Sequence, residues 1–407
     1  MVSEGVNPYF NKTVIICALG YFVDIYDLVL FSIVRIASLK DLVLDGNELT
    51  NVGIFLLNSQ MAGLLLGGIL WGYIGDKKGR VSILFGSIAL YSAANLANAF
   101  VETKEMYALL RFVAGIGLAG ELGAAVTLVG ESIPTHLRGY STAFIAAIGM
   151  LGAIFAAIVA EFLHWRFAYG FGGILGLALL IGRVKLSDPQ IFKEMSKGSH
   201  WRGDFLKLFH PWERLRRYVY TLLIGMPCWF VLGVLLAFGP EVTKELGVTG
   251  TVVVGTAVIF QYLGAGIGDF FSGYVSQKIQ SRKKVLSASI LATALLIAVF
   301  LVFRNMSPIF YYGLYLGLGL TTGYWAVFVT VVAEQFGTNL RATAASTLPN
   351  FVRGSVIPIT LGVQFLRTEV GFIVAIGIVA VLVVALALFA LTQLHETYSR
   401  DLNFFET

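Results

Sequence analysis

Charged residues and cysteines are scarce in this sequence. Charged side chains make up 13% of its 407 residues and hydrophobic side chains 57%, whereas soluble domains carry roughly 25% charged residues. The composition therefore excludes an ordinary soluble domain and indicates an integral membrane protein. Cys17 and Cys228, the only two cysteines, both lie in apolar runs. The sequence thus offers neither a disulfide framework nor a thiolate metal site.

Histidines are also few, and the sequence contains no motif for binding the phosphates of ATP. The five histidines all fall in predicted loops or tails, which argues against a histidine proton relay inside the membrane. No glycine-rich loop for the phosphates of ATP is present, so we expect no cofactor and no process driven by ATP. We do not expect an enzyme. The net charge of +5 serves membrane topology and does not indicate a nucleic-acid partner.

Apolar segments of helical length recur twelve times along the chain. Each approaches the roughly 20 residues that cross a bilayer as a helix, and a β-barrel is excluded because its strands would be about ten alternating residues long. The sequence therefore predicts an all-α protein with twelve transmembrane helices. The first segment is too long and too polar at its centre for a cleaved signal peptide. The segments lie at 13–35, 51–74, 82–101, 107–130, 140–162, 167–186, 218–239, 251–275, 285–303, 309–333, 342–366 and 371–394.

The two halves of the chain resemble each other. Gly72-Tyr73-Ile74 before Lys77 matches Gly273-Tyr274-Val275 before Lys278, about 200 residues later. The Glu131 and Arg138 pair likewise matches Glu334 and Arg341. We therefore predict two six-helix bundles related by a parallel repeat, at 1–186 and 218–407, joined by a cytoplasmic loop at 187–217.

Lysine and arginine residues lie mostly on one predicted side of the membrane. The loop after the second helix and the central interval are rich in them, and the central interval includes Arg183, Arg214, Arg216 and Arg217. Because cytoplasmic loops carry the excess of these residues, both termini are expected inside, as in a prokaryotic inner-membrane protein. Residues 201–217 resemble a short amphipathic helix at the inner surface, although a basic linker explains them equally well.

Two carboxylates lie in the middle of the first apolar run. Asp24 and Asp27 are three residues apart in the stretch YFVDIYD at 21–27, so they share one face of a helix. Each costs roughly 2.5–3.5 kcal/mol at that depth. One interpretation is a packing pair that is hydrogen-bonded to neighbouring helices. The other is a proton or substrate site in a transporter.

The loop after the second predicted helix reads GYIGDKKGR at 72–80. Gly72 and its neighbouring glycines permit a tight turn and close helix approach, Asp76 can accept hydrogen bonds at a helix N-terminus, and Arg80 prefers the inner surface. This loop resembles the signature loop of the major facilitator superfamily. The resemblance implies that the loop gates between inward-open and outward-open states. In the second copy of this loop, Gln277 occupies the position of the acid. We therefore expect that copy to hold the inner ends of its helices together less strongly.

The fourth predicted helix contains RFVAGIGLAGE at 111–121, whose glycines allow close helix packing. It resembles the superfamily's fourth-helix motif, and this implies that Arg111 takes part in proton coupling. The following Glu121, with Glu131 and Arg138, resembles the metabolite:proton symporter branch.

The Asp24 and Asp27 stretch resembles the phosphate:proton symporters and sialic-acid permeases. The sequence departs from the phosphate branch because Leu122-Gly123 replaces the usual Tyr-Pro. Residues 149–152 also lack the Gly-Pro motif that is typical of antiporters.

Arg353 is the main candidate for substrate binding in the second half of the chain, and Asn350 lies one turn before it. Arg353 lies about eleven residues into its predicted helix, roughly 16 Å at 1.5 Å per residue, which places it near mid-membrane. Because arginine stays charged, it needs an anionic substrate or a carboxylate partner such as Asp269 or Glu334.

Other polar and aromatic residues could shape a substrate cavity, although aromatic residues in membrane helices more often serve packing. These candidates are Tyr26, Asn58, Gln60, Trp229, Gln261, Tyr324 and Trp325.

These patterns together predict a proton-coupled symporter of a small organic anion or zwitterionic metabolite. Asp24, Asp27 or Glu121 would carry the proton, and Arg353 would meet the substrate. Two rigid halves would alternate access to a site near the membrane midplane. The expected partners are protons, a small-molecule substrate and the lipid bilayer, with the protein as a monomer. A neutral sugar porter, an exporter of metals or toxic compounds, and a sensor or scaffold that does not transport remain alternatives.

Asp76→Asn should impair transport far more than substrate binding, because the loop at 72–80 is expected to gate without contacting the substrate. Turnover in proteoliposomes and substrate affinity of the purified protein, measured side by side, separate the two effects. Normal turnover combined with lost affinity would overturn the gating role.

Overall fold

The computed structural model describes residues 12–42, 46–132, 138–183, 205–398 and 406. The described residues form helices and no strand, in this order: α1 (Lys12–Asp41), α2 (Gly46–Lys78), α3 (Arg80–Asn98), α4 (Lys104–Leu118), α5 (Glu121–Ser132), α6 (Arg138–Phe162), α7 (Trp165–Arg183), α8 (Trp212–Phe230), α9 (Gly239–Leu246), α10 (Val254–Lys278), α11 (Arg282–Val302), α12 (Pro308–Thr322), α13 (Trp325–Gln335), α14 (Thr338–Gly354), α15 (Val356–Val370) and α16 (Phe372–Gln393).

The chain divides into two compact units. One unit combines Met1–Leu30 with Ala37–Phe205, and the other combines Phe31–Ile36 with Leu206–Thr407. The division between Phe205 and Leu206 falls inside the predicted loop at 187–217. A short segment of α1 thus groups with the second unit.

The described part of the chain contains 11 helices that are long and apolar enough to cross a membrane. The remaining predicted span, 342–366, is also helical, as α14 and α15. It is more polar than the others because α14 carries Asn350 and Arg353 in its last turns. Ser355, which joins α14 to α15, has helical dihedral angles.

Glycines bring the backbones of α2 and α4 into direct contact in the first unit. A methyl group at Gly63 would collide with the carbonyl oxygen of Phe112, and one at Gly115 would collide with that of Gln60. Only residues without a side chain allow helices to approach this closely.

The second unit repeats this contact between α10 and α12. A methyl group at Gly264 would collide with the Leu316 carbonyl oxygen, and one at Gly319 with that of Gln261. These residues follow their first-unit counterparts by about 200 positions, so the internal repeat is expressed in the packing of the two units.

Two predicted spans are each divided into two helices. The sequence predicts one helix at 107–130, but α4 ends at Leu118 and α5 begins at Glu121. The span predicted at 309–333 is interrupted at the corresponding place, between Thr322 and Trp325. Both interruptions contain a glycine, which weakens a helix. Membrane helices tolerate such breaks where neighbouring groups satisfy the freed backbone.

Asp269 provides a hydrogen-bond acceptor for a backbone N–H group at the second of these breaks. Its Oδ1 accepts a hydrogen bond from the backbone N–H of Ala326, 2.9 Å away in the first turn of α13. A carboxylate at a helix N-terminus is stabilised by the exposed N–H groups and the helix dipole. Asp269 therefore holds two helices together, a structural role.

The predicted amphipathic helix at 201–217 is wrong over its described part. Residues 205–209 form a single 3₁₀ turn, and Trp212 already begins α8. The predicted loop therefore ends too late, because α8 starts with polar turns before its apolar run. After Phe230 the helix continues as a π-helical segment, Val231–Leu236, a form that is rare and often found at functional sites.

Glu396 caps the start of α11. Its carboxylate accepts hydrogen bonds from the backbone N–H groups of Arg282 at 2.9 Å and Lys283 at 3.2 Å, and from the hydroxyl of Ser281. Partial burial acts to raise the pKa of this carboxyl, but these hydrogen bonds outweigh it and lower the pKa from 4.5 to about 2. The carboxylate form is thus favoured in the folded protein.

Glu396→Gln should lower the melting temperature in detergent by a few degrees at neutral pH. A lowered pKa contributes stability above the unfolded value of 4.5 and loses it as pH falls toward about 2. The difference between variant and wild type should therefore shrink below pH 4.5. Glu369→Gln, at an exposed acid near the end of α15, is the matched control. A difference independent of pH would contradict the capping role.

Candidate functional site

Asp24 and Asp27 are both fully buried in the first unit. No cation is hydrogen-bonded to either carboxylate oxygen of Asp27 in the described part of the chain, and the Asn95 amide interacts with this carboxylate. Gly172 of α7 lies against this carboxylate, since a methyl group there would come within 2.5 Å of Oδ1. Asp24 and Arg111 are the charged groups that act most strongly on Asp27. The two aspartates and Arg111 thus form one buried electrostatic cluster.

Arg111 enters this cluster from α4 and is fully buried. It donates a hydrogen bond to the Gln60 side-chain oxygen and another, of 3.4 Å, to the hydroxyl of Tyr169. Tyr107 in turn donates to the Tyr169 hydroxyl at 2.9 Å. Gln60 and Tyr169 therefore fix the guanidinium inside the unit.

Glu121 forms a fully buried ion pair with Arg183 of α7. The guanidinium also donates to the Leu84 carbonyl at 2.6 Å, and the Ser87 hydroxyl donates to Glu121 at 3.3 Å. The sequence places Arg183 among the loop cations that set topology, which is wrong, because its side chain folds into the unit. A carboxylate engaged by an arginine fork is a poorer proton carrier than one without a partner, so Glu121 fits a structural role better.

Arg353 is buried in the second unit, with 1% of its surface exposed. Its guanidinium donates to the Asn350 side-chain oxygen at 3.5 Å and lies 5.5 Å from the centre of the Trp229 ring. Neither Asp269 nor Glu334 pairs with it, so the predicted carboxylate partners are wrong. Nε of Arg353 has no hydrogen-bond partner among the described residues.

Aromatic rings surround the Trp229 side of Arg353. The Trp229 and Trp325 rings meet edge to face at 6.3 Å, and Trp325 stacks on Phe328 at 4.9 Å. Gln261, predicted to bind substrate, donates to the Thr322 hydroxyl at 3.2 Å.

Other predicted substrate residues occupy packing positions. The hydroxyl of Tyr324 donates to the Ile224 carbonyl at 2.9 Å, and that of Tyr26 donates to the Ala168 carbonyl at 2.8 Å. Both tyrosines are fully buried, so each ties two helices together. Asn58 on α2 is half-buried.

The predicted pair between Glu334 and Arg341 is wrong. Glu334 pairs with Arg282 at 3.2 Å instead, and Arg341 donates to the carbonyl oxygens of Ala333 and Phe336. Sequence repetition suggested the pair, but Arg282 at the start of α11 lies within reach of the carboxylate.

Gly72 is buried in α2. The side chains of Asp76, Arg80, Glu131 and Arg138 lie outside the described residues. No group of three or more His, Cys, Asp or Glu side chains that could hold a metal ion occurs in the described ranges.

Comparison with known proteins places these features in a family. The family model of the Major Facilitator Superfamily matches residues 17–359. The chain belongs to the Major Facilitator Superfamily. It is thus a multi-pass membrane transport protein with that superfamily's twelve-helix fold.

Relatives of this superfamily member include transporters from two bacteria. The chain is 27% identical over 358 residues to the sialic acid transporter NanX of Escherichia coli K12, with 85% of each chain covered. It is 25% identical over 399 residues to the gentisate transporter of Corynebacterium glutamicum, covering 92% of this chain and 86% of that one.

A solved structure shares the fold of this superfamily member. The inward-open xylose transporter XylE from Escherichia coli superposes with a TM-score of 0.72 at 17% identity, covering 96% of this chain and 97% of that one. At this identity the likeness shows the fold alone.

Removing one partner of the Glu121 and Arg183 pair should destabilise this superfamily member by about 3–5 kcal/mol, because the other charge remains buried alone. The double variant Glu121→Leu with Arg183→Met should recover most of that loss, since apolar replacement of a whole buried pair is often neutral. Unfolding of the three variants in detergent measures the coupling.

The exposed pair between Glu48 and Lys104, with atoms 3.0 Å apart, is the control for this cycle. Its removal should change stability little, because exposed ion pairs contribute little. A buried double variant as unstable as the sum of its singles would contradict the pairing.

Proposed function

We propose that this transporter carries a small organic anion into the cell together with protons, by alternating access. It would lie in a prokaryotic inner membrane with both termini in the cytoplasm. The observation that carries the proposal is the buried guanidinium of Arg353, which has no carboxylate partner among the described residues.

Arg353 supplies the positive charge for the substrate. An arginine keeps its charge in a buried site, and a guanidinium can bind a carboxylate through two parallel hydrogen bonds. Since Nε of Arg353 has no hydrogen-bond partner in the described part of the chain, one edge of the fork is available for an anion. Asn350, at 3.5 Å, adds an amide that can bind another polar group of the substrate.

Asp27 and Asp24 supply the proton site. Two acids that share one face of a helix in a low-dielectric site cannot both ionise easily. Arg111 favours one negative charge in this cluster, which leaves the second carboxyl to hold a proton. Each proton that moves inward down the membrane potential contributes about 2.3 kcal/mol per 100 mV, enough to drive accumulation.

The relatives support an organic anion as the substrate class. Sialic acid and gentisate, which the two relatives' names give as their substrates, both carry a carboxylate. The resemblance of the loop at 72–80 supports a gating role for Gly72, Asp76 and Arg80. We propose the same for Glu131 and Arg138, and for Glu334 and Arg341 at the matching place in the repeat.

One of the variants Asp24→Asn and Asp27→Asn should abolish accumulation driven by a pH gradient while leaving exchange of substrate intact. The affected carboxyl is the one that takes up and releases the proton, a step that exchange does not need. Uptake and exchange of labelled gentisate in proteoliposomes, with and without an imposed pH gradient, measure both. Glu105→Gln, at an exposed acid in the first turn of α4, is the control. Normal accumulation in both variants would show that these acids serve packing.

Arg353→Lys should weaken gentisate binding about ten- to a hundredfold, because a point charge replaces a bidentate fork worth roughly 1.5–3 kcal/mol. Binding to purified protein measures the change. Arg304→Lys, at an exposed arginine that donates to the Glu245 carbonyl, should bind normally. Unchanged affinity in Arg353→Lys would remove the residue from the substrate site.

A further inference from the structure

Two asparagines lie buried in the last turn of α3. Asn95 and Asn98 are both fully buried in the first unit. No atom of either amide makes a hydrogen bond of good geometry to a residue that the structure describes, although the Asn95 amide interacts with the Asp27 carboxylate. Buried amides in native proteins are almost always hydrogen-bonded, to protein or to ordered water. Four polar atoms in this state therefore point to a ligand that bonds to both amides.

The position of the amides identifies that ligand. The Asn95 amide is a hydrogen-bonding group of α3 that interacts with the Asp27 carboxylate. Asn98 follows one turn later, about 4.5 Å further along the helix. One water molecule with two hydrogen bonds of about 2.8 Å spans such a gap. Each amide offers both donors and an acceptor, as a chain of water molecules requires.

Charged, partly exposed side chains lie just beyond the Asn98 end of α3. We call them the rim. Beyond α3, the Arg166 guanidinium donates to the carbonyl oxygens of Ala99 at 3.2 Å and Val101 at 2.7 Å. Arg166 also pairs with Asp41 at 3.4 Å, and both side chains are partly exposed. Asn98 therefore lies between this hydrated rim and the interior.

We propose that Asn98 and Asn95 hold a file of water molecules that connects Asp27 to the aqueous side at which α3 ends. The inference deepens the proposed function, on which its proton-carrying role rests. A proton enters from bulk water at the rim, passes along the file and binds the Asp27 carboxylate. The file regains its proton from bulk water, so no bond between protein heavy atoms changes.

Several groups besides the amides face Asp27 and would share in its titration. Arg111 faces it from α4, Tyr91 from α3 and Tyr169 from α7, while Asp24 lies on the same helix. Arg111 is the one cation in this set, and it is held by Gln60 and Tyr169. Proton entry along the amides therefore avoids the arginine.

Cysteine labelling tests whether the file holds water. Asn98→Cys and Asn95→Cys should react with a small charged methanethiosulfonate at least tenfold faster than Ala94→Cys, with Asn98→Cys the faster of the two. Ala94 is buried beside Asn95, with 3% of its surface exposed, but its methyl side chain carries no polar atom. The buried Cys17 and Cys228 set the background in wild type. Rates equal to that of Ala94→Cys would show a dry interior and overturn the proposal.

Transport tests whether the file carries protons. Asn98→Leu should slow pH-driven uptake of gentisate at least tenfold but leave gentisate exchange within twofold, and Asn98→Ser should restore uptake. Thr293→Val, at a buried threonine whose hydroxyl already bonds to the Ser289 carbonyl, should behave as wild type. Equal loss of uptake and exchange in Asn98→Leu would indicate a structural role and overturn the proton path.

Failure of the proposed function gives a different result. Wild-type protein would then accumulate gentisate without regard to pH, or not at all. Labelling would still decide whether the file from Asn98 to Asp27 is hydrated, because that measurement does not depend on transport.

Discussion

The close packing of α2 on α4 is the contact on which the first unit depends. Gly63 and Gly115 bring the two backbones together, and the same approach sets the Gln60 side chain against Arg111, one turn before Gly115. A side chain at either glycine would separate donor from acceptor. Since the bilayer interior has no water to replace that hydrogen bond, the glycines and the buried arginine form a single constraint.

Buried acids in the first unit fall into two classes. Glu121 is held by the Arg183 guanidinium and the Ser87 hydroxyl, which gives it a fixed set of partners. Asp27 has no cation hydrogen-bonded to it among the described residues, and its carboxylate interacts with the amide of Asn95. A carboxyl that must gain and lose a proton cannot be held by a permanent cation at close range. Glu121 thus has the fixed partners of an acid that stabilises the fold, whereas Asp27 has no bonded cation in the described part of the chain, as our proposal of proton exchange requires.

Much of the fold could be predicted from the sequence, because span length, glycine position and loop charge are local properties of the chain. The twelve helices, the repeat and the family follow from them. The partners of single side chains could not be predicted in the same way. Arg183 lies at the end of its span, where it resembles a topology-setting cation, and only the folded unit shows that it reaches Glu121. Asn95 and Asn98 are also two polar side chains three residues apart in an apolar run. The pattern that marked the two aspartates of α1 could therefore have identified them as site candidates.

Comparison of the two units shows where the repeat diverges. Gly115 and Gly319 make equivalent contacts, yet the residue one turn earlier is Arg111 in the first unit and Tyr315 in the second. Tyr315 donates to the Leu235 carbonyl at 2.6 Å, a packing bond that needs no counter-charge. Trp325 likewise begins α13 where Glu121 begins α5. The second unit thus keeps the backbone geometry but loses both charges at these positions, and Arg353, one of its buried cations, lies on a different helix. Duplication supplied one scaffold, and substitution at a few buried positions gave each copy its own charge.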